Sequence, residues 1–218
     1  LAARGRRLFF DFVIEAPSRF SREVKATAEA ILPQIGTAVC RPRFLLQDIM
    51  EEDEVVAALM RIRKRGSHGV CLKARDTAKI REAVKMLANA RIPVVTLVTD
   101  IGGPDRLAYV GLDNAGAGRT AAYLISLTLG EAQGMVLATR SHERFLGEEE
   151  REAAEVEAKD SERQGLKIRA VQGGGGVDFE TSKLLTESMG DIRNLRAAYS
   201  MGGGNRSIIR TLDDNGLP

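Results

Sequence analysis

The stretch YVGLDNAGAGRTAAYLI, residues 109–125, joins a short apolar run to a helix pattern rich in small residues. Its two central glycines and Ala121 fit the G-x-G-x-x-G/A fingerprint of dinucleotide-binding proteins. In that fingerprint the glycines follow the strand directly, so that the pyrophosphate meets the helix N-terminus. Here Asp113, Asn114 and Ala115 intervene, and Asp113 would hold a carboxylate where the phosphates belong. The stretch therefore favours a closely packed helix capped by Asp113 or Asn114 over a nucleotide site.

The whole chain has the composition of an ordinary globular protein. It has 218 residues, of which 28% are charged and 44% are hydrophobic, and its net charge is +2. This length suits one large domain or two small ones, and the charge is too weak to argue for nucleic-acid binding by the chain's overall field. The sequence has neither an 18-residue apolar run nor the pattern of a secretory signal, so we expect no membrane partner and a cytoplasmic location. Cys40 and Cys71 lie in apolar runs and are expected to be reduced and buried.

Short apolar runs alternate with helical patterns along the chain, and the alternation restarts after Gly130. It predicts an α/β protein with two doubly wound parallel-sheet lobes, the second incomplete. The expected organisation is a linker tail over 1–7, an N-terminal lobe over 8–130 and a partial C-terminal lobe over 131–218. The predicted strands are 8–14, 37–40, 69–72, 93–98, 108–112, 135–138, 166–171 and 195–200. The predicted helices are about 21–32, 52–65, 77–90 with Asp76 as N-cap, the helix that the opening stretch begins around Gly116–Ala121, and one that begins near Asn205.

Ligands of doubly wound sheets bind at the carboxyl ends of the strands. Two glycine runs, VQGGGGVDF (171–179) and YSMGGGNRS (199–207), follow strands on that edge, where glycine lets the backbone approach a ligand. Catalytic signatures are absent from the sequence: His68 and His142 have no metal-ligand spacing, and no G-x-S-x-G motif occurs. We therefore expect a protein that is not an enzyme and uses no metal or cofactor.

Five runs together resemble the effector-binding domain of lactose-repressor-type transcription regulators, which share the type I periplasmic sugar-binding protein fold. The runs are FDFVIEAPSRF (10–20), IPVVTLVTDIGG (92–103), AYVGLDNAGAGRTAAYLI (108–125), GEEEREA (147–153) and AAYSMGGGNRSIIRTLDDNGLP (197–218). In that family the Asp-Asn-x-x-x-Gly-Arg stretch closes the first lobe, leads into the crossover and binds no dinucleotide. The family usually has Arg-x-x-Gly-Phe where this chain has Arg151-Glu-Ala-Ala, and often an asparagine where this chain has Ser18-Arg19.

The resemblance implies a cleft between the lobes that closes on a small polyhydroxylated effector, most simply a carbohydrate. A sugar requires planar polar groups for its hydroxyls and an aromatic face for its C–H side. Arg151 is expected to anchor the ligand, because its planar fork can hold two adjacent hydroxyls. The expected ligand-binding residues are Phe20, Arg75, Asp76, Thr99, Asp100, Asp113, Arg151 and Asn205.

The resemblance also implies a homodimer that reads two operator DNA half-sites through a helix-turn-helix segment before Leu1. LAARGRR then resembles the end of the hinge. The apolar face of helix 52–65 is a candidate dimer surface, although burial within the same chain is the commoner use of such a face. One alternative is the sugar-binding receptor of an ABC transporter. Another is a nucleotide-dependent oxidoreductase.

Overall fold

The computed structural model describes residues 7–36, 38–130, 133–140, 166–172, 194–201 and 205–217. The chain divides into two compact units, Leu1–Gly111 and Leu112–Pro218. The lobe boundary expected from the sequence, near Gly130, lies further along the chain and stays a prediction.

The first unit is a five-stranded sheet in which every pair of neighbouring strands is parallel. Its strand order is β2-β1-β3-β4-β5, which confirms the predicted α/β class. The strands are β1 (Arg7–Glu15), β2 (Val39–Gln47), β3 (Gly69–Lys73), β4 (Val94–Leu97) and β5 (Ala108–Val110), and the helices are α1 (Ser18–Ile31), α2 (Glu52–Arg65) and α3 (Ala78–Asn89). A 3-10 turn, Leu32–Gln34, follows α1.

Strand β2 is longer than the predicted span of 37–40 and continues to Gln47. The sequence after Cys40 reads as a loop because Pro42 stands between two arginines. Pro42 pairs with Phe10 of β1. Proline is tolerated there because β2 is an edge strand, so no neighbour on its outer side needs the missing N–H.

The main hydrophobic core lies between this sheet and helices α2 and α3. The buried residues of α2 are Val55, Ala58, Leu59 and Ile62, and those of α3 are Ile80, Ala83, Val84 and Leu87. Both sets pack with strand residues such as Val13, Leu72 and Val94. The expectation that the apolar face of α2 forms a dimer surface is therefore corrected, because that face is buried within its own unit.

The N-cap of α3 differs from the expected one. The side chain of Thr77, rather than Asp76, accepts the hydrogen bond from the backbone N–H of Ile80, at 3.3 Å. Threonine and aspartate cap helices in the same way. The geometry selects Thr77 because Asp76 lies one residue earlier and is held by Arg81.

The second unit contains a three-stranded parallel sheet in the order β7-β6-β8. Its described elements are α4 (Asn114–Leu129), β6 (Gly134–Arg140), β7 (Leu166–Gln172), β8 (Leu195–Ser200) and α5 (Asn205–Asp214). Leu137, Val171 and Ile208 form its buried cluster.

The N-cap of α4 is Asp113, one of the two residues that the sequence predicted for this role. Its Oδ1 accepts a 2.9 Å hydrogen bond from the backbone N–H of Gly116. A Cβ atom at Gly116 would clash with this carboxylate. Gly116, the first glycine of the fingerprint, therefore makes room for a cap.

Both cysteines are free thiols; Cys40 is buried and Cys71 is partly buried. None of the helices in the described ranges combines the length and the apolar composition needed to cross a bilayer.

Candidate functional site

The carboxyl edge of the first sheet gathers charged side chains that are almost excluded from water. Strand β1 ends at Glu15 and strand β3 ends at Lys73, whose exposed fractions are 3% and 8%. The two strands are neighbours, and the register pairs Ile14 with Lys73. Burial of charge is costly unless partners compensate it, so such residues at a ligand-binding edge are candidates for function.

Glu15, Lys73 and Arg75 form one cluster at this edge. The Lys73 ammonium donates a 2.7 Å hydrogen bond to the backbone carbonyl of Glu15. The Arg75 Nε lies 3.7 Å from Glu15 Oε2, and its Nη2 lies 3.5 Å from Glu51 Oε2 and donates to the Met50 carbonyl. The cluster therefore holds the predicted ligand residue Arg75 at the edge of the sheet.

Sequence reasoning overlooked Glu15 and Lys73. The sequence signal that could have identified them is a charged residue at the end of an apolar strand run: Glu15 ends VIE (13–15), and Lys73 ends VCLK (70–73). Only the pairing of β1 with β3 shows that the two residues meet.

The turn after β4 contains an unusual backbone conformation. Val98 has a φ of +67°, a region that β-branched residues rarely adopt. The backbone N–H of Thr99 donates a 2.7 Å hydrogen bond to the carbonyl of Leu97, which closes a three-residue turn around Val98. Thr99, a predicted ligand residue, is 2% exposed. Strained backbone of this kind concentrates at functional sites.

Asp100, at the same edge, is held by several donors. Arg106 binds it with two 2.5 Å hydrogen bonds, the hydroxyl of Thr96 donates at 2.7 Å, and the backbone N–H of Ile101 donates at 2.8 Å. Burial opposes ionisation, but the hydrogen bonds from Arg106, Thr96 and Ile101 together lower the pKa of Asp100. Asp100 is thus a fixed carboxylate acceptor, and a ligand hydroxyl would share it with Arg106.

Asp76 and Phe20 lie in the first unit near strand ends. Asp76 follows β3 and binds Arg81 through two 2.6 Å hydrogen bonds, and a Cβ atom added at Gly102 would lie 3.3 Å from its Oδ2. Phe20 is the third residue of α1 and is partly buried. Asp76 therefore lies beside the loop that follows β4.

The carboxyl edge of the second sheet carries hydroxyl and amide groups. Thr139, near the end of β6, is 2% exposed, and its Oγ1 has no hydrogen-bond partner among the residues that the structure describes. The hydroxyl of Ser200 donates at 2.5 Å to Oδ1 of Asn205, the first residue of α5. Asn205 therefore lies on this edge, as the sequence predicted. The predicted ligand residue Asp113 is the N-cap of α4. Arg151 lies outside the described residues.

The edge of the first sheet carries guanidinium and ammonium donors with carboxylate acceptors. The edge of the second sheet, taken by itself, carries hydroxyl and amide groups. Within the described ranges no group of three or more His, Cys, Asp or Glu side chains could hold a metal ion. Groups of these kinds, on either edge, suit a polar ligand rich in hydroxyl groups.

Comparison with known proteins gives one family match over most of the chain. A family model described as a periplasmic binding protein domain matches residues 49–218. No curated protein matches the chain in sequence.

Solved structures share the fold at low sequence identity. A glucose-galactose binding protein from Geobacillus stearothermophilus is 17% identical, with a TM-score of 0.82 over 97% of this chain and 74% of that one. An ABC transporter solute-binding protein from Burkholderia graminis, in complex with D-arabinose, is 16% identical, with a TM-score of 0.81 over 97% and 71%. A protein assigned as a LacI transcriptional regulator from Bacteroides fragilis is 14% identical, with a TM-score of 0.80 over 97% and 74%.

Proposed function

The chain belongs to the periplasmic binding protein domain family, and we propose that it binds a sugar as the effector-sensing part of a transcription regulator. The observation that carries the proposal is the cluster of Glu15, Lys73 and Arg75 at the carboxyl edge of the first sheet. Lys73 donates to the Glu15 carbonyl and Arg75 lies beside the Glu15 carboxylate, at the edge where ligands of doubly wound sheets bind.

The chemistry of the described edge residues supports a polyhydroxylated ligand. Arg75 supplies a planar donor and Asp100 a fixed acceptor, while Asn205 carries an amide that can do both. Phe20 supplies an apolar face for the C–H side of a sugar ring. The solved structures of a glucose-galactose binding protein and of a protein in complex with D-arabinose support the same ligand class.

The regulator role rests on the resemblance of the five sequence runs and on the basic segment Arg4–Arg7. In this role the protein is a cytoplasmic homodimer that binds operator DNA through a helix-turn-helix segment. The sugar acts by preferring one of two conformations, because a ligand of equal affinity for both would shift nothing. We expect a coupling free energy of about 1–3 kcal/mol between the sugar site and the operator site.

A sugar-binding receptor of an ABC transporter is the second candidate. The family description and the solute-binding proteins among the similar structures favour it. The two roles differ in what the gene encodes before Leu1: a helix-turn-helix supports the regulator, and a secretory signal supports the receptor.

The binding proposal is tested by thermal-shift screening of a panel of monosaccharides, followed by calorimetry on the sugar that stabilises the protein most. Arg75→Met should lower the affinity for that sugar by roughly tenfold or more, as expected for a lost charged hydrogen bond. Arg63→Met, an exposed change on α2 away from the edge, should leave the affinity unchanged. Equal losses in the two variants, or no binding of any sugar, would contradict the proposal.

The regulator proposal needs a second measurement. Operator binding by the full-length protein is measured with and without the sugar at one salt concentration, because phosphate contacts make the affinity salt-dependent. Operator affinity that the sugar leaves unchanged would defeat the switch even where sugar binding is established. Tight, specific binding of NAD or NADP would instead support an oxidoreductase.

A further inference from the structure

A cavity lies in the first unit between helix α2 and strands β1 and β2. Its volume is about 210 Å³, and its lining residues are Asp11, Phe12, Val13, Arg43, Phe44, Leu45, Ala58, Arg61, Ile62 and Arg65. Asp11 stands four residues before Glu15 on β1, which is about 13 Å along an extended strand. The cavity is therefore distinct from the carboxyl edge of the sheet.

The charged residues of this cavity are three arginines and one carboxylate. Asp11 is 2% exposed. Its Oδ1 accepts a 2.9 Å hydrogen bond from Arg43 Nε and another from Arg65 Nη2, and its Oδ2 accepts one of 2.5 Å from Arg43 Nη2. One cation, such as Arg43, is enough to neutralise the Asp11 carboxylate. Arg65 and Arg61 therefore bring two further positive charges to the cavity.

Two of the arginines are held in place before any ligand arrives. Arg43 donates to the Gly66 carbonyl at 2.8 Å, and its guanidinium lies 4.9 Å from the ring centroid of Phe9. Its side chain is 26% exposed. Arg65 is fixed at Nη2 by Asp11, and its other N–H groups make no hydrogen bond within the described residues. Fixed donors lose little conformational entropy when a ligand binds.

Arg61 completes the lining one turn before Arg65 on α2. In the part of the chain that the structure describes, Arg61 makes no ion pair or hydrogen bond. Its charge adds to that of Arg65 on the same helix face, where like charges four residues apart disfavour the helix unless something neutralises them. The positive charges of Arg61 and Arg65 are therefore better explained by a bound anion than by a structural ion pair within the protein.

We propose that this cavity binds a phosphate group. The lining side chains carry a net charge of about +2, which matches the charge of −1.5 to −2 that a phosphate monoester carries at pH 7. Arginine forks bind phosphate oxygens in pairs, with a geometry that lysine does not offer. The volume is below the roughly 300–1,000 Å³ of pockets for drug-sized ligands, so a small oxyanion fits it better than a large molecule.

The test uses the full chain and inorganic phosphate as the probe. Binding is followed by calorimetry and by melting temperature, with sodium chloride at equal ionic strength as the reference. We expect phosphate to bind and to raise the melting temperature above the chloride reference. Arg61→Gln should lower the affinity for phosphate by about tenfold or more, which is the effect of one lost charged hydrogen bond.

Arg63→Gln is the matched control, because Arg63 is exposed on the same helix and does not line the cavity. It should change phosphate affinity by less than about twofold. Circular dichroism checks that both variants keep the fold, which the exposure of both positions favours. Equal losses in the two variants, or phosphate binding no stronger than chloride, would overturn the site.

Two further ligands distinguish the source of the phosphate group. Glycerol 3-phosphate that binds as tightly as inorganic phosphate identifies a phosphorylated metabolite as the occupant, whereas binding of inorganic phosphate alone identifies the free ion. Acetate carries one charge and should bind at least about tenfold more weakly than phosphate, because it leaves one positive charge uncompensated. Acetate that binds as tightly as phosphate would contradict the charge match.

Discussion

The ammonium group of Lys73 donates a 2.7 Å hydrogen bond to the backbone carbonyl of Glu15. The bond joins the carboxyl ends of β3 and β1, which are neighbours in the sheet. The side chains of both residues lie within the same nearly water-free edge. Their charges therefore have to be compensated inside the protein.

Substitution of Lys73 by methionine should lower the free energy of unfolding by about 1.5–3 kcal/mol, because it removes the hydrogen bond that the buried ammonium group donates to the Glu15 carbonyl. Urea unfolding measures the change. Lys85→Met is the control: Lys85 has a side chain that is 53% exposed and lies 3.7 Å from Glu82. An exposed pair contributes less than about 1 kcal/mol. Similar losses for the two variants would mean that the buried cluster contributes little to stability.

The secondary structure of this chain follows closely from its hydrophobic periodicity. Helix α2 (Glu52–Arg65) and strand β8 (Leu195–Ser200) have the predicted bounds. Both have a regular apolar pattern, and a glycine, Gly66, directly follows α2 as its C-cap. Strand β2 was predicted too short because its second half owes its extended form to pairing with β1 along an edge, which local sequence does not reveal.

The candidate site was predictable only in part. The strand-end rule indicated Arg75 and Asp100, and both lie on the carboxyl edge of the first sheet. Their partners Glu15 and Arg106 were not predicted, because those contacts depend on how strands and loops meet in three dimensions. Arg75 is fixed by the end of β1, a strand that lies 60 residues earlier in the chain.

Asp100 makes the stability of the fold depend on pH. The hydrogen bonds from Arg106, Thr96 and Ile101 lower its pKa below the ordinary value of 3.8, against the effect of burial. A carboxyl group with a depressed folded-state pKa stabilises the fold above its unfolded-state pKa, and this contribution is lost as the pH falls through the folded-state pKa. Unfolding free energies measured from pH 6 down to pH 2 should therefore fall more for the wild type than for Asp100→Asn.

The Asp100→Asn variant keeps the shape of the side chain and removes its charge. At pH 7 it should be less stable than the wild type by about 1–3 kcal/mol, because the charged hydrogen bonds to Arg106 become neutral ones. The difference between the two proteins should shrink toward pH 2. A difference that stays constant over this range would show that Asp100 does not titrate differently in the folded state. Asp105→Asn, which changes a carboxylate beside this pair in sequence, is the control.

Cys71 should be an unreactive thiol at neutral pH. Burial raises the pKa of its thiol to about 11. The thiolate is the reactive form, so alkylation by iodoacetamide should be much slower than for free cysteine at pH 8 and should still accelerate as the pH rises past 9. Peptide mass spectrometry separates Cys71 from Cys40. A Cys71 rate that levels off near pH 8.5 would contradict the raised pKa.

Val98 should be a position where a different residue stabilises the fold. Its φ of +67° is costly for a β-branched side chain, whereas asparagine tolerates this region. The Val98 side chain is 43% exposed, so little apolar burial is lost on substitution. Val98→Asn should therefore raise the free energy of unfolding by about 1 kcal/mol.

Val110 offers a matched control for this change. The backbone N–H of Val98 donates a 2.9 Å hydrogen bond to the carbonyl of Val110, and Val110 is 56% exposed in strand β5. Val110 has no positive φ, so Val110→Asn should cost up to about 1 kcal/mol through the poor strand preference of asparagine. Urea unfolding of the two variants should then show opposite signs. A loss of stability in both would mean that the turn around Val98 stores no strain that asparagine can release.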